Sequence, residues 1–263
     1  MAEIDPLAIA SARAAAGMLV FGSLMLWQDG IAGFTGARLL RTLPLGLLGI
    51  FANQILFIEG LKRSTASHSA ILIALLPVNV LLLSAITGQE RFGWMKGLGV
   101  LVAFSGVVLV ASEKGIDLRS EYLRGDLLTL CSGWAFAAYT VAGRPVLRTL
   151  GALRTTTGAF LGGGTAVLLV GSPAALRQDW QAASRPALYG LLYLMAGATV
   201  GAYLLYYFAV ARLEPSKVAA FMYLQPLVAA AIAYFIGGES LTRYLLGGGA
   251  LILTGVMLAE RSR

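Results

Sequence analysis

Residues 74–90 read ALLPVNVLLLSAITGQE, and residues 223–239 read YLQPLVAAAIAYFIGGE. Laid over one another at an offset of 149, they match at Pro77 and Pro226, at Gly88 and Gly237, and at Glu90 and Glu239. The same register carries Arg63 onto Arg212, Ser67 onto Ser216, Gly99 onto Gly248 and Gly106 onto Gly255. Over positions 55–110 and 204–259 it yields 12 identities in 56, without a gap. Apolar matches mean little in a hydrophobic chain. Proline, glutamate and glycine recurring at kinks and turns point instead to an internal duplication.

The material being duplicated is membrane-spanning. Hydrophobic residues make up 58% of the 263 and charged residues 13%, against roughly 45–50% and about 25% in soluble domains. Mean hydropathy is +0.78. So little charge cannot cover a soluble surface, which excludes a soluble enzyme, a nucleic-acid-binding module and a disordered scaffold. The net charge of +7 then reads as basic loops that set orientation, not as a nucleic-acid footprint. Nine apolar runs approach the ~20 residues a helix needs to cross a bilayer: 7–27, 43–61, 66–87, 93–112, 125–143, 153–171, 186–209, 215–236 and 241–259. They are too long and too unalternating for barrel strands, so the fold is an all-α helical bundle. Gly93 with Gly97, Gly158 with Gly162 and Gly197 with Gly201 have the spacing that lets helices approach closely in lipid.

In this register, spans two, three and four correspond to spans seven, eight and nine, and span one to span six. Span five has no first-half partner, so the chain reads as four helices plus five. The first repeat occupies 1–112, an inter-repeat loop 113–124, and the second repeat 125–263. Lysine and arginine number 11 in the loops on the C-terminal side, Arg144 and Arg148 among them, and 8 on the other. That bias predicts a cytoplasmic C-terminus. Five helices per full repeat would invert one half against the other, the arrangement common in secondary transporters.

Several motifs together resemble the drug/metabolite transporter superfamily, in its EamA-like branch of ten-helix exporters. They are Gly60-Leu61-Lys62 with Ser67, Pro77 followed by Gln89-Glu90, and the echo at Pro226 and Gly238-Glu239. Gly125-Asp126 opening the fifth span, Ser132-Gly133-Trp134-Ala135 within it, and Arg13 in the first span also fit. The resemblance implies export of amino acids, related metabolites or drugs across the bacterial inner membrane by alternating access around a central cavity. The chain departs from the pattern by opening near the family's second helix. That departure keeps a second reading open, a non-transporting accessory or receptor subunit derived from a transporter.

An ionisable group inside a span needs a reason to be there. Arg13 lies about two turns into the first span and reads either as a snorkelling residue or as a substrate contact. Glu59 beside Lys62 and Arg63 reads as an interfacial ion pair. Glu90 and Glu239 each precede the last helix of a repeat and read as structural acids. Pro77 and Pro226 lie mid-span, where they kink the helix. The substrate-binding candidates are uncharged: Gln54, Asn79, Trp134, Tyr139, Tyr203, Tyr206, Tyr223 and Gln225. Thr199 shares a helical face with Tyr203 and Tyr206, and Thr129, Ser132, Phe136 and Tyr139 form one stripe. Aromatics with a few amides suit a flat or amphipathic solute. The expected partners are therefore a small-molecule substrate and the lipid bilayer; the oligomeric state, monomer or homodimer, is left open. His68 reads as an interfacial histidine and Cys131 as a small buried hydrophobe. No phosphate loop, catalytic constellation, metal-ligand spacing or cofactor motif is present in the sequence.

Overall fold

A computed structural model of the chain describes residues 3–31, 37–64, 69, 72–91, 93–112, 122–224, 228 and 242–261. Gln225, Pro226, Ser67, His68, Gly238 and Glu239 lie outside them. Among the described residues the structure is helical throughout, with no strand. The helices are α1 (Pro6–Asp29), α2 (Ala37–Leu40), α3 (Leu43–Leu61), α4 (Leu76–Ile86), α5 (Trp94–Ser112), α6 (Leu123–Leu150), α7 (Ala152–Arg177), α8 (Arg185–Arg212), α9 (Pro215–Ala220) and α10 (Arg243–Arg261). Four of them, α1, α3, α7 and α8, are long and apolar enough to cross a membrane. Shorter apolar helices cover Leu72–Ile86, Trp94–Leu109 and Leu246–Ala259. Leu19, Leu169 and Leu205 lie exposed along the spans, as lipid-facing side chains must. The chain is a multi-pass membrane protein.

Two compact units divide it, and each takes segments from both halves of the sequence. The first comprises Met1–Ile58 and Ala138–Arg212, the second Glu59–Ala137 and Leu213–Arg263.

In the first unit, α1 packs along α7. Asp5 caps α1 by accepting from the Leu7 N–H at 2.7 Å, and Pro6 occupies the first turn, where no amide hydrogen is needed. Gly17 seats the Phe160 ring, and Phe21 lies 5.0 Å from the same ring. α3 meets α7 more closely still. A Cβ on Gly46 would meet the Ala159 carbonyl carbon at 2.6 Å, and one on Gly162 would meet Leu43 Cα at 2.8 Å. Backbone-to-backbone approach of this kind needs glycine on both helices. Of the three predicted small-residue pairs, Gly158 with Gly162 lies at this contact: Gly162 meets the Leu43 backbone and Gly158 seats the Thr42 side chain. Gly93 has nothing within 4 Å, and Gly197 faces Tyr193 of its own helix.

The long helices α3, α7 and α8 each contain a π-helical stretch: Leu47–Ala52, Phe160–Gly164 and Ala196–Gly201. A π turn shifts the helical register by one residue and is frequent at functional sites. The first and last of these stretches are separated by 149 residues, the offset at which the two matching stretches of sequence align.

In the second unit, α5 packs against α10 over their whole lengths. These helices are again 149 residues apart at both ends. A Cβ on Gly99 would meet the Gly255 carbonyl oxygen at 2.6 Å, and one on Gly106 would meet the Gly248 carbonyl oxygen at 2.6 Å. Ascending residues on one helix face descending ones on the other, so the pair is antiparallel. Val100, Ala103, Val107, Ile252 and Val256 fill the core beside them, with Leu81, Ala220 and Tyr223.

Three expectations are revised here. Pro77 lies in the first turn of α4 instead of mid-helix. The chain turns at Leu75, whose N–H donates to Leu72, three residues back, at 3.2 Å. This is the position proline tolerates best. Cys131 is exposed on α6, not buried. Arg144 and Arg148 sit on α6 itself, which runs on to Leu150, and Arg144 is buried.

Candidate functional site

An aromatic and hydroxyl cluster in the first unit gathers side chains from α1, α6, α7 and α8. Tyr139 and Thr140 come from α6, Phe160 from the π stretch of α7, and Thr199, Tyr203, Tyr206 and Tyr207 from α8. Tyr139 and Tyr207 are fully buried, with ring centroids 5.2 Å apart. Gly49 admits the Tyr139 ring to the α3 backbone. Phe160 meets Tyr203 edge to face at 5.1 Å. Tyr206 lies 6.4 Å from the Tyr207 ring, and its hydroxyl shares a hydrogen bond of 2.9 Å with Thr140. The spacing on α8 explains the grouping. Thr199, Tyr203 and Tyr206 lie four and three residues apart, and the adjacent Tyr207 closes the face toward α6.

Arg13 enters from α1. Its Nε donates to Thr199 Oγ1 at 2.8 Å, and Thr199 in turn donates to the Leu194 carbonyl at 2.7 Å. That second bond is made by the side chain and reaches back five residues from within the π stretch. Arg13 is half-buried and Thr199 buried.

The structure thus brings together three of the predicted residues, Tyr139, Tyr203 and Tyr206. Gln54 belongs to the same unit and is half-buried on α3. Phe160, Thr140 and Tyr207 were not anticipated. The signal for Tyr207 was present: a tyrosine pair in mid-span costs two buried hydroxyls unless they are used. Asn79, Trp134 and Tyr223 belong to the second unit. Asn79 is buried, with Nδ2 3.3 Å from where a Cβ on Gly133 would stand. The Asn79 amide nitrogen and the Tyr223 hydroxyl are both buried without a hydrogen-bond partner. Trp134 is exposed. Along the predicted α6 stripe, Thr129, Ser132 and Tyr139 are buried and Phe136 half-buried.

The acids behave differently from the tyrosines. Gly88 turns the chain after α4 with φ of 68°, a conformation glycine adopts freely. The N–H groups of Gln89 and Glu90 then bond back to the Ser84 carbonyl. This places the Glu90 carboxylate at the start of α9, where it accepts from the Ser216 N–H at 3.1 Å and from the Ser216 hydroxyl. Lys96 reaches Glu90 at 3.0 Å and Glu214 at 2.7 Å, and Lys217 lies 3.5 Å from Glu214. Burial raises the Glu214 carboxyl, but the hydrogen bond and charge of Lys96, with Lys217 beside it, hold it below the usual carboxylate range. Glu59 pairs with Lys62 at 2.9 Å and with Arg63. At the mouth of α6, Gly125 seats the Gly60 and Arg63 backbone, and Asp126 accepts from Ser64.

Two open cavities lie elsewhere in the first unit. One, of 470 Å³, is lined by Arg41, Pro145, Val146, Thr149 and Leu150. The other, of 600 Å³, lies between the start of α1 and the first half of α8, beside Glu3, Ser184 and Tyr193. No predicted site residue lines either. Among the described residues no group of histidine, cysteine and acidic side chains has metal-binding geometry.

The EamA-like transporter family profile matches residues 1–112 and 123–260. A transporter of undetermined function from Archaeoglobus fulgidus is 29% identical over 263 residues, covering 97% of this chain and 88% of that one. A probable terminal-alkyne amino-acid exporter from Streptantibioticus cattleyicolor is 31% identical over 225 residues, covering 84% and 74%. A protein of known crystal structure superposes with a TM-score of 0.84 at 18% identity, over 97% of this chain and 87% of its own, which establishes likeness of fold.

Proposed function

As this chain belongs to the EamA-like transporter family, we infer that it is a secondary transporter that exports small metabolites, amino acids or their derivatives, across the bacterial inner membrane. One observation carries this reading. Tyr139, Tyr203 and Tyr206 converge with Arg13, Phe160 and Tyr207 beside the π stretches of α7 and α8. Ring faces and hydroxyls in a low-dielectric setting suit an amphipathic solute with few polar groups. The amino-acid exporter from Streptantibioticus supports the substrate class.

The mechanism is alternating access between two inverted repeats, 1–112 and 125–263, in a nine-span arrangement with a cytoplasmic C-terminus. The recurrence of π stretches and of terminal helices at one offset supports the duplication. Gln54 and Tyr203, equivalent under that offset, line the substrate path with Tyr139 and Tyr206. Asn79, Trp134, Tyr223 and Gln225 are proposed as further substrate contacts.

The test is uptake into proteoliposomes or everted vesicles, with a labelled panel of amino acids and their derivatives. Saturable flux by the intact chain, lost in Tyr203→Ala combined with Gln225→Ala while folding is retained, is the expected result. A well-folded chain that moves no member of the panel overturns the reading.

A further inference from the structure

Arg13 is the sole charged residue of α1 before its terminal Asp29. It is flanked by Ala12, Ala14, Ala15 and Ala16, so nothing in its own helix shields it. A cation at this depth is costly unless something compensates it. Snorkelling would carry the guanidinium outward to the headgroups, but here it turns inward. Nε is tethered at 2.8 Å to Thr199, a residue only 1% exposed. The single Thr199 hydroxyl proton is committed to the Leu194 carbonyl. The threonine can therefore only accept from the arginine, which fixes the direction of the tether.

The tether uses one of five N–H donors. No carboxylate of the first unit takes up the others, because each of its acids is engaged elsewhere. Glu3 accepts from the Ser184 N–H at 2.9 Å and Asp5 from the Leu7 N–H at 2.7 Å. Asp29 holds Arg154 through two bonds of 2.7 and 3.0 Å. Asp179 accepts from the Gln181 and Ala182 N–H groups. A guanidinium held by Nε, with its Nη groups free, presents the two-pronged edge that matches a planar carboxylate. Tyr203, one turn from Thr199, stands edge to face with Phe160.

We propose that Arg13 is the anion hook of the substrate site, binding the carboxylate of an amphipathic monocarboxylate whose apolar body lies along Tyr203 and Phe160. This deepens the transporter reading and rests on it. Thr199 is a positioning residue that aims the fork. Thr199 lies within the π stretch Ala196–Gly201 and accepts from Arg13 there.

The experiment uses N-acetyl-L-phenylalanine, an anion, and N-acetyl-L-phenylalaninamide, its neutral near-isostere. Binding to the purified chain in detergent and transport by proteoliposomes are measured in parallel. The intact chain is expected to bind the anion at least tenfold more tightly than the amide. Arg13→Gln is expected to erase that preference by weakening the anion alone. Arg13→Lys keeps the charge without the fork and should retain only part of the preference, and Thr199→Val should fall between. Equal or absent binding of the two probes by the intact chain overturns the proposal, as does an Arg13→Gln variant that weakens both equally. If Arg13→Gln does not fold, phenylglyoxal modification of Arg13 in the intact chain decides. Protection by the anion and not by the amide supports the hook, and no protection overturns it. Selective binding without transport would sustain the hook and sink the transporter reading. Transport without preference would do the reverse.

Discussion

In the second unit, Lys96 is buried between two carboxylates, 3.0 Å from Glu90 and 2.7 Å from Glu214, and Glu90 is satisfied further by Ser216. In the first unit, Arg13 is half-buried with one threonine hydroxyl for company. Both are cations in apolar helices, yet one is neutralised by the fold and the other is not. A neutralised cluster resists change, because removing one member strands the rest. An uncompensated charge in a membrane marks a place where an external partner completes the site. The glycines show a separate contrast, between tight helix seams and open faces. Those of the α5–α10 seam are pressed against backbone, while Gly22 on α1 meets nothing within 4 Å.

The largest effect is expected at the neutralised cluster. Lys96→Met strands the Glu90 carboxylate and should cost about 3–5 kcal/mol, measured by denaturant or thermal unfolding in detergent. Adding Glu90→Gln should recover most of that loss. Arg13→Gln should leave stability unchanged or raise it, since it removes an unpaired charge. If the two variants melt alike, the contrast between the units fails.

The next effect tests the seam. Gly99→Leu drives a side chain into the α10 backbone and should cost about 1–3 kcal/mol, whereas Gly22→Ala should gain up to about 1 kcal/mol from helix propensity. Equal melting shifts would show that the close approach of α5 to α10 carries no weight.

Smaller still is the Thr140–Tyr206 bond. Tyr206→Phe should cost about 0.5–1.5 kcal/mol, and Thr140→Val should add little in the double variant, because both break one bond. A fully additive double-mutant cycle would deny the coupling.

The smallest effect is a pH dependence. The folded carboxyl of Glu214 lies below its unfolded value of about 4.3. Its contribution is therefore fully present above that unfolded value and is lost as pH falls through the lower folded one. With more than a third of the Glu214 side chain exposed, the gain is under about 1 kcal/mol. Glu214→Gln should flatten the acid limb of a melting curve taken from pH 3 to 7. An acid limb that survives Glu214→Gln would place its origin at another carboxylate.

The positions of Glu90 and Glu59 illustrate how far linear reading reaches. Glu59 has its partners three and four residues away, Lys62 and Arg63, and their pairing is legible as helix spacing. Glu90 was legible as a structural acid after a glycine turn. Its partner Ser216 lies 126 residues on, and Lys96 finds Glu214 across 118, separations that no periodicity encodes. The candidate site divides in the same way. Tyr203, Tyr206 and Thr199 share a helical face that can be counted on the chain. Their meeting with Tyr139, Phe160 and Arg13 depends on which helices cross, and on π turns that shift the face by a residue.

Length and hydropathy alone determined that this is an all-helical membrane protein, because a bilayer tolerates only backbones that satisfy their own hydrogen bonds. The offset of 149 was likewise readable, because proline, glycine and glutamate recur at it where apolar matches alone would mean little. Tertiary structure decided which charges are cancelled and which are left exposed to a ligand. Whether a cation is neutral in its setting is a property of three-dimensional distance: Lys96 and Arg13 differ in what the folded helices bring within 3.0 Å of them.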